Sequence, residues 1–155
     1  MDLKYSHVDI LVSDLDKAVA YYSKTLGFQP SKRQTWQRGD FRVDYVIMFN
    51  ANQRFYFVQP SSGNLKKLLD EKGEGTIYRL CFTAKDVKDS YRQLVSAGVQ
   101  PENESGVPLA EDNLKSPTGT PIIWLPKKFG DLSIEILEED SMEARMEKLR
   151  AEAGI

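Results

Sequence analysis

Residues 7–30 read HVDILVSDLDKAVAYYSKTLGFQP, and residues 79–101 read RLCFTAKDVKDSYRQLVSAGVQP. Each stretch begins with an alternating strand pattern, passes through an aspartate into an amphipathic helix, and ends with a glycine and a second strand. Asp14 aligns with Asp86 at an offset of 72 residues, whereas the glycine after each helix aligns at an offset of 71. One residue is therefore missing from the second helix, and the chain is predicted to contain two copies of one module.

Three further strands are predicted after each helix, which makes each copy a βαβββ module. The predicted strands span 28–35, 41–49 and 54–59 in the first copy, and 99–104, 120–126 and 132–138 in the second. The long polar segment 102–119 is predicted as a loop that borders a pocket. The predicted fold is α+β: two tandem βαβββ modules form a cupped mixed sheet around a pocket, followed by a C-terminal helix.

These elements also set the predicted boundaries along the chain. They are 1–60 for the first module, 61–75 for a linker with a short helix at 65–71, 76–139 for the second module, and 140–155 for the C-terminal helix. Asp140 and Glu143 are spaced like a capping box at the start of that helix. Its apolar stripe is predicted to pack against the body of the protein or a second subunit, and consists of Met142, Met146, Leu149 and Ala153.

The composition excludes several classes of partner. The 155 residues have a net charge of −2, and the 28% that are charged mix both signs, so no basic surface for nucleic acid is expected. No apolar run approaches the roughly 18 residues of a membrane span, and the N-terminus lacks a signal-peptide pattern. The single cysteine, Cys81, fits a reducing compartment. We therefore expect a cytoplasmic protein that binds a small molecule, with a homodimer as the expected assembly.

Strand alternation sorts the side chains of each strand onto two faces. On the first strand Val8, Ile10 and Val12 face the helix, so His7 and Asp9 lie on the opposite face. The same alternation adds to that opposite face Arg54, Tyr56, Val58, Arg79, Cys81, Thr83, Ser133, Glu135 and Leu137. A face this polar is unsuited to a dry core. It predicts a pocket, whose floor has four candidate strand aromatics: Trp36, Phe41, Tyr45 and Trp124.

The chain resembles the vicinal oxygen chelate superfamily, which includes glyoxalase I, methylmalonyl-CoA epimerases, extradiol dioxygenases and bleomycin-resistance-type binding proteins. The resemblance covers residues 5–139 and is greatest toward the methylmalonyl-CoA epimerases. It rests on HVDILVSDLDKAVAYYSKTLGF at 7–28, LKKLLDEKGEGTIYRL at 65–80 and IIWLPKKFGDLSIEIL at 122–137. It implies a chemistry in which four side chains hold a divalent metal that stabilises an enolate.

Carried over to this sequence, the four family positions are His7, Tyr56, Arg79 and Glu135. The usual set in the family is His or Gln, Glu or Gln, His, and Glu, so only His7 and Glu135 match. A catalytic metal usually keeps three protein ligands, and a permanently protonated guanidinium beside the site would repel a cation. We therefore expect no cofactor. The alternative is a divalent metal ion at His7 and Glu135, with Asp9 as a third oxygen ligand.

Arg79 is then predicted to replace the charge of the metal. The chain is expected to be an isomerase, epimerase or lyase that acts through an enolate on an oxo-acid, an acyl thioester or an aromatic-pathway intermediate. Glu135 is the candidate base, His7 its proton partner, Arg79 the group that stabilises the oxyanion, and Tyr56 a donor to a carbonyl oxygen. The predicted substrate pocket is lined by Asp9, Cys81, Thr83, Ser133, Trp36, Tyr45 and Trp124.

Alternatives stay open at two levels. The same pocket suits a non-catalytic binding protein for resistance or sensing, or an orthodox divalent-metal-dependent epimerase or glyoxalase. At the residue level, Arg79 with Glu135 or Asp9 is alternatively a structural ion pair that closes a former cavity. Lys127 and Lys128 form either a solvated turn or, if the ligand is phosphorylated, a place for phosphate contacts.

Overall fold

The computed structural model describes residues 1–155 and is a mixed α+β structure, as predicted, with eight strands and four helices. In chain order the elements are β1 Lys4–Leu11, α1 Leu15–Leu26, β2 Gln29–Pro30, β3 Gln34–Arg38, β4 Phe41–Asn50, β5 Gln53–Pro60, α2 Gly63–Lys72, β6 Thr76–Ala84, α3 Val87–Ser96, β7 Ile122–Trp124, β8 Ser133–Glu138 and α4 Glu139–Ala153. None of the helices combines the length and the apolar composition needed to cross a lipid bilayer.

The chain forms two compact units, which we call the first-module unit and the second-module unit. The first-module unit comprises His7–Tyr78 with Glu147–Ile155, and the second-module unit comprises Met1–Ser6 with Arg79–Met146. Each unit therefore holds one copy of the predicted repeat.

Both units pair their strands by the same scheme. In the first-module unit β1 is parallel to β5, β5 is antiparallel to β4, and β4 also pairs with β2 and β3. In the second-module unit β6 is parallel to β8, and β8 is antiparallel to β7. Parallel strands require a long crossover connection, and α1 and α3 lie in the two crossovers. In both copies, then, the first strand of the module pairs in parallel with the last.

The two helices of the repeat begin in the same way. Asp14 precedes α1 and Asp86 precedes α3, both with extended backbone, and each side chain accepts a hydrogen bond from the backbone N–H three residues later. Such caps satisfy amides that have no partner within the helix. Gly27 ends α1 with a φ of 70°, a left-handed conformation that suits glycine.

Each helix packs on the apolar face of its own module, as the alternation predicts. In the first-module unit the buried cluster is Val12, Leu15, Val46, Met48 and Phe57, with Ile10 and Val19 against it. In the second-module unit it is Ala84, Val87, Leu114, Ile123 and Ile136, with Tyr91 and Leu94 against it. Full burial of one such aliphatic side chain contributes roughly 1.5–3 kcal/mol. The opposite face of each set of strands is thereby left for polar side chains.

The predicted strand 28–35 is wrong as a single element, because it is divided into β2 and β3. Residues 31–33 lie opposite only two residues of β4, 46 and 47, which is the geometry of a bulge. Ser31 takes part in the interruption: its backbone N–H donates to the Ile47 carbonyl, and its Oγ accepts from the Ile47 N–H.

The predicted strand 99–104 is also wrong, and 120–126 is shorter than predicted. Between 99 and 104 only Glu102 makes ladder contacts, by exchanging backbone hydrogen bonds with Trp124. Pro101 has no N–H to donate, and the Asn103 side chain accepts from the amides of Ser105 and Val107 and so forms a turn instead. Prolines 121 and 126 flank β7 and shorten it for the same reason.

The C-terminal helix begins earlier than predicted, directly after β8. Asp140 lies inside its first turn and is therefore not the N-cap of a capping box. Lys4 donates to Glu139 over 2.8 Å, and this bond, with the nearby charge of Lys85, lowers the pKa of the Glu139 carboxyl. The predicted stripe of Met142, Met146 and Leu149 is buried, which confirms that it packs.

Candidate functional site

The polar face of the first-module unit is centred on His7. His7 and Asp9 are two residues apart on β1, so their side chains project from the same side of the strand. The His7 Nε2 atom lies 3.3 Å from Asp9 Oδ1, and the histidine is only 1% exposed. A carboxylate at this distance holds the imidazole in one orientation.

Three rings stack in a column on this face. The His7 ring lies on Tyr56, with centroids 4.0 Å apart and planes 11° from parallel. Tyr56 in turn lies on Tyr45, with centroids 5.5 Å apart and planes 5° from parallel. β1 supplies His7, β5 supplies Tyr56 and β4 supplies Tyr45, so three neighbouring strands position the column. It brings together three of the predicted site residues.

Two further predicted residues lie on the same face. Trp36 is half-buried on β3 and stands opposite Val43, two residues along β4 from Tyr45. Arg54 is two residues before Tyr56 on β5, so alternation places its guanidinium on the same face as the Tyr56 ring. The predicted mechanism gives Arg54 no role, although the sequence signal for its position is the same as that for Tyr56.

The polar face of the second-module unit contains a buried ion pair. Nη1 of Arg79 on β6 lies 3.4 Å from Oε2 of Glu135 on β8, and the two side chains are 11% and 7% exposed. The cost of burying each charge is offset only if the charges remain together. The pair is thus a strong local constraint, and it joins two of the four residues predicted to carry the chemistry.

Trp124 lies beside this pair. The Arg79 guanidinium carbon is 5.7 Å from the centre of the Trp124 ring, within the range of a cation–π contact. Trp124 is also the ladder partner of Glu135 across β7 and β8. Cys81 is the ladder partner of Glu135 on β6, and Thr83 and Ser133 are buried on the same strands. All five predicted site residues from β6 and β8, together with Trp124, therefore lie in one neighbourhood.

Ladder register shows that the four family positions are equivalent in the two copies. Asp9 pairs with Tyr56 in the first copy, and Cys81 pairs with Glu135 in the second. Asp9 and Cys81 are 72 residues apart, the offset of the repeat. Tyr56 is therefore the counterpart of Glu135, just as His7 is the counterpart of Arg79. A single pocket enclosed by both faces stays a prediction.

The chain is similar to known proteins in its family signature, in its sequence and in its structure. Residues 6–114 match the model of the glyoxalase/bleomycin resistance protein/dioxygenase superfamily. Over 136 residues the chain is 26% identical to an ethylmalonyl-CoA/methylmalonyl-CoA epimerase of Cereibacter sphaeroides, which covers 86% of this chain and 96% of the relative. It is 23% identical over 134 residues to the mitochondrial methylmalonyl-CoA epimerase of Homo sapiens, covering 86% of this chain and 72% of the relative.

Among solved structures, the methylmalonyl-CoA epimerase from Mycobacterium tuberculosis superposes with a TM-score of 0.69 at 25% sequence identity. The superposition covers 86% of this chain and 85% of that one. Because the family model covers well over half of the sequence, the chain belongs to the glyoxalase/bleomycin resistance protein/dioxygenase superfamily. The predicted family and fold are confirmed.

Two of the four family positions, Arg79 and Tyr56, carry side chains that are not among the usual ligands of a divalent metal. Arg79 brings a permanent positive charge to within 3.4 Å of Glu135, the carboxylate that would be a ligand. Tyr56 presents the face of its ring to the His7 imidazole. Divalent cations are held by carboxylate, imidazole and thiolate groups with geometric regularity, and a guanidinium offers no lone pair. The two substitutions remove one ligand from each module.

Proposed function

We propose that this chain is an isomerase or epimerase that removes a proton from the carbon beside a carbonyl group, with Arg79 in place of a metal ion. The observation that carries the proposal is the buried contact between Arg79 and Glu135. It joins a carboxylate and a fixed cation at two of the four family positions, and the relatives are named as methylmalonyl-CoA epimerases.

The chemistry follows from what each group can do. The Glu135 carboxylate takes the proton as the C–H bond breaks, and the electron pair moves onto the carbonyl oxygen to give an enolate. A guanidinium fixed in a buried site stabilises that oxyanion and needs no reorganisation during the step. The reverse step returns a proton to the same carbon, and return to the other side of the carbon inverts its configuration.

In the first-module unit, His7 is held in position by Asp9 and by the Tyr56 ring, and its proposed role is to return or relay the proton. An arginine beside a carboxylate weakens it as a base, by about 1–3 pKa units in general. The substrate must therefore carry an acidified C–H, as oxo-acids and thioesters do.

Solvent deuterium exchange tests this function directly. A methylmalonyl or ethylmalonyl thioester, chosen because the relatives are named for those substrates, and a set of 2-oxo-acids are incubated with the protein in D₂O. Deuterium is expected at the carbon next to the carbonyl. Glu135→Gln and Arg79→Ala are each expected to slow the exchange by 100-fold or more, in line with the loss of a general base or an oxyanion donor.

The second-module unit offers a matched control. Arg92 and Glu111 form an ion pair on the surface of the same unit, with both side chains more than one-third exposed. Arg92→Ala and Glu111→Gln are expected to leave the exchange rate within twofold of wild type. Exchange that survives both Glu135→Gln and Arg79→Ala would contradict the proposed mechanism.

The contact of Arg79 with Trp124 favours one second candidate, a binding protein for an anionic molecule. The Arg79 guanidinium lies over the Trp124 ring, and a guanidinium can clamp a carboxylate with two hydrogen bonds. This candidate predicts saturable binding of an aromatic carboxylate with no deuterium exchange in any substrate tested.

A further inference from the structure

Arg150, near the end of α4, is a partly buried cation that forms no ion pair. Its guanidinium carbon is 4.6 Å from the centre of the Phe49 ring. Its Nη2 and Nη1 atoms are 3.4 and 3.5 Å from the Ala51 carbonyl oxygen, longer than the roughly 2.7–3.2 Å of a normal N–H···O hydrogen bond. Glu147, one turn earlier on α4, is exposed. The guanidinium therefore keeps strong donors for an acceptor that the first-module unit does not supply.

Phe49, the ring under Arg150, is the centre of a row of three residues on the polar face. It is the ladder partner of Gln29 on β2 and of Arg54 on β5. Residues directly opposite each other on antiparallel strands have side chains on the same face, with Cβ atoms about 4.5–5.5 Å apart. The Phe49 ring is only 1% exposed. Arg54 thus begins beside the ring on which Arg150 lies, and Gln29 adds a carboxamide on the other side.

The strands of this face contribute few negative charges. By alternation, β1, β3, β4 and β5 place Arg38 and Arg54 on the polar face but only one carboxylate, Asp9. Asp9 lies 3.3 Å from the His7 imidazole. Arg150 on α4 adds a further positive charge to the same face. The electrostatic character of the face therefore favours an anion.

We propose that Arg54 and Arg150 form an oxyanion site that binds the carboxylate or phosphate group of a small molecule. A guanidinium presents its N–H donors as a planar fork that matches two oxygens of either group. Stacking on Phe49 fixes the plane of the Arg150 fork, so less conformational freedom is lost when the oxyanion binds. The site lies within the first-module unit and needs neither Arg79 nor Glu135.

The oxyanion site adjoins the ring column, which supplies a reporter. Arg54 is two residues from Tyr56 on β5, about 7 Å along the strand, and both side chains project from the same face. Tyr56 lies on the His7 ring. Because His7 is the only histidine in the chain, its ring protons give proton NMR signals that belong to no other histidine. These signals are expected to shift in a saturable way when an anion occupies the site.

The first test measures binding of inorganic phosphate and of succinate by calorimetry at low salt. Arg150→Gln and Arg54→Gln are each expected to weaken binding about fivefold or more, because each removes a charged fork. Lys148→Gln is the matched control: it removes a positive charge from the exposed side of the same helix, and its binding is expected to stay within about twofold of wild type. Preference for phosphate or for succinate supports the site and identifies which oxyanion it takes. Absence of saturable binding of both anions, or unchanged binding in both arginine variants, overturns the inference.

The second test separates binding from a purely structural role of Arg150. Arg150→Lys keeps the positive charge but loses the planar fork, so it is expected to restore only part of the binding lost in Arg150→Gln. The His7 signals are followed during a phosphate titration of each variant, and thermal unfolding records the stability of each. A smaller shift of the His7 signals in Arg150→Gln than in wild type supports the site. A lower melting temperature in Arg150→Gln with unchanged phosphate binding would show that Arg150 only anchors α4, and overturns the inference.

Discussion

At the scale of single residues, one difference between the two copies is central to the proposed chemistry. Position 7 is histidine and its counterpart 79 is arginine. An imidazole has a lone pair for a metal or a proton, whereas a guanidinium stays protonated and can only donate. The residue in contact with each of these side chains differs in the same way. Glu135 is a carboxylate beside the arginine, and Tyr56 is an aromatic ring beside the histidine.

The Arg79–Glu135 ion pair is expected to contribute to the free energy of unfolding. Arg79→Met is expected to lower the free energy of unfolding by about 3 kcal/mol, because it leaves the Glu135 charge buried without its arginine. Adding Glu135→Gln to the same chain should recover at least half of that loss. Urea unfolding of the two single variants and the double variant measures the coupling. Losses that simply add would show that the two side chains do not interact.

The ring column gives a second prediction for a single residue. Tyr56→Leu should cost about 2 kcal/mol of unfolding free energy, since it removes stacking on both His7 and Tyr45. Tyr56→Phe keeps both stacking contacts and should cost less than about half as much. The comparison is made by urea unfolding at neutral pH. Equal losses in both variants would mean that the hydroxyl, and not the ring, is the stabilising group.

At the scale of elements, periodicity predicted the strands and helices that pack on their own module. Alternation and helical spacing correctly placed β1, α1, β4, β5, β6, α3 and β8. The points at which a strand is interrupted were harder to predict. Each depends on a single side chain whose hydrogen bond takes the place of a backbone hydrogen bond of the sheet. The Ser31 hydroxyl and the Asn103 amide do this in the two places where a predicted strand failed. Both residues are ordinary in strands and turns, so composition alone does not mark the difference.

The helix caps of the repeat give a prediction at this scale. Asp14→Ala and Asp86→Ala should each lower the free energy of unfolding by about 1 kcal/mol, because each removes the acceptor of an N-terminal amide. The Asn variants keep an acceptor oxygen and should lose much less. Chemical denaturation of all four variants makes the comparison. A loss of stability in only one of the two alanine variants would contradict the equivalence of the N-terminal caps of α1 and α3.

Asp44 predicts how the β3–β4 ladder responds to acid. Burial alone would raise its pKa, but hydrogen bonds from Thr35 and Arg33 and the charges of Arg33 and Arg42 lower the pKa below its usual value. A lowered pKa in the folded state stabilises the protein above the ordinary aspartate pKa, and this stabilisation is lost as the pH falls through the folded value.

Asp44→Asn should therefore cost roughly 0.5–1 kcal/mol at neutral pH, the range of partly exposed ion pairs. Its difference from wild type should shrink as the pH is lowered below about 4. Unfolding free energies between pH 7 and pH 2.5 provide the measurement, with Asp2→Asn as the control at an exposed terminal residue. A difference that stays constant over the whole range would contradict the proposed role of the charge.

At the scale of the whole molecule, the repeat predicted more of the site than any single motif. Alternation put His7, Tyr56, Arg79 and Glu135 on the polar faces, and the resemblance to the superfamily singled them out as the four family positions. The contacts themselves were beyond the sequence. Whether Tyr56 stacks on His7, or Arg79 lies over Trp124, depends on rotamers and on packing between strands far apart in the chain.

In the proposed function, a fixed arginine takes the place of a metal ion in this member of the superfamily. The most direct test measures the rate of deuterium exchange into the substrate before and after dialysis against EDTA, and again after a divalent ion is added back. The same rate is expected in all three conditions, and Arg79→Ala is expected to lose it. A rate that falls to the background after EDTA and returns with the metal ion would contradict it.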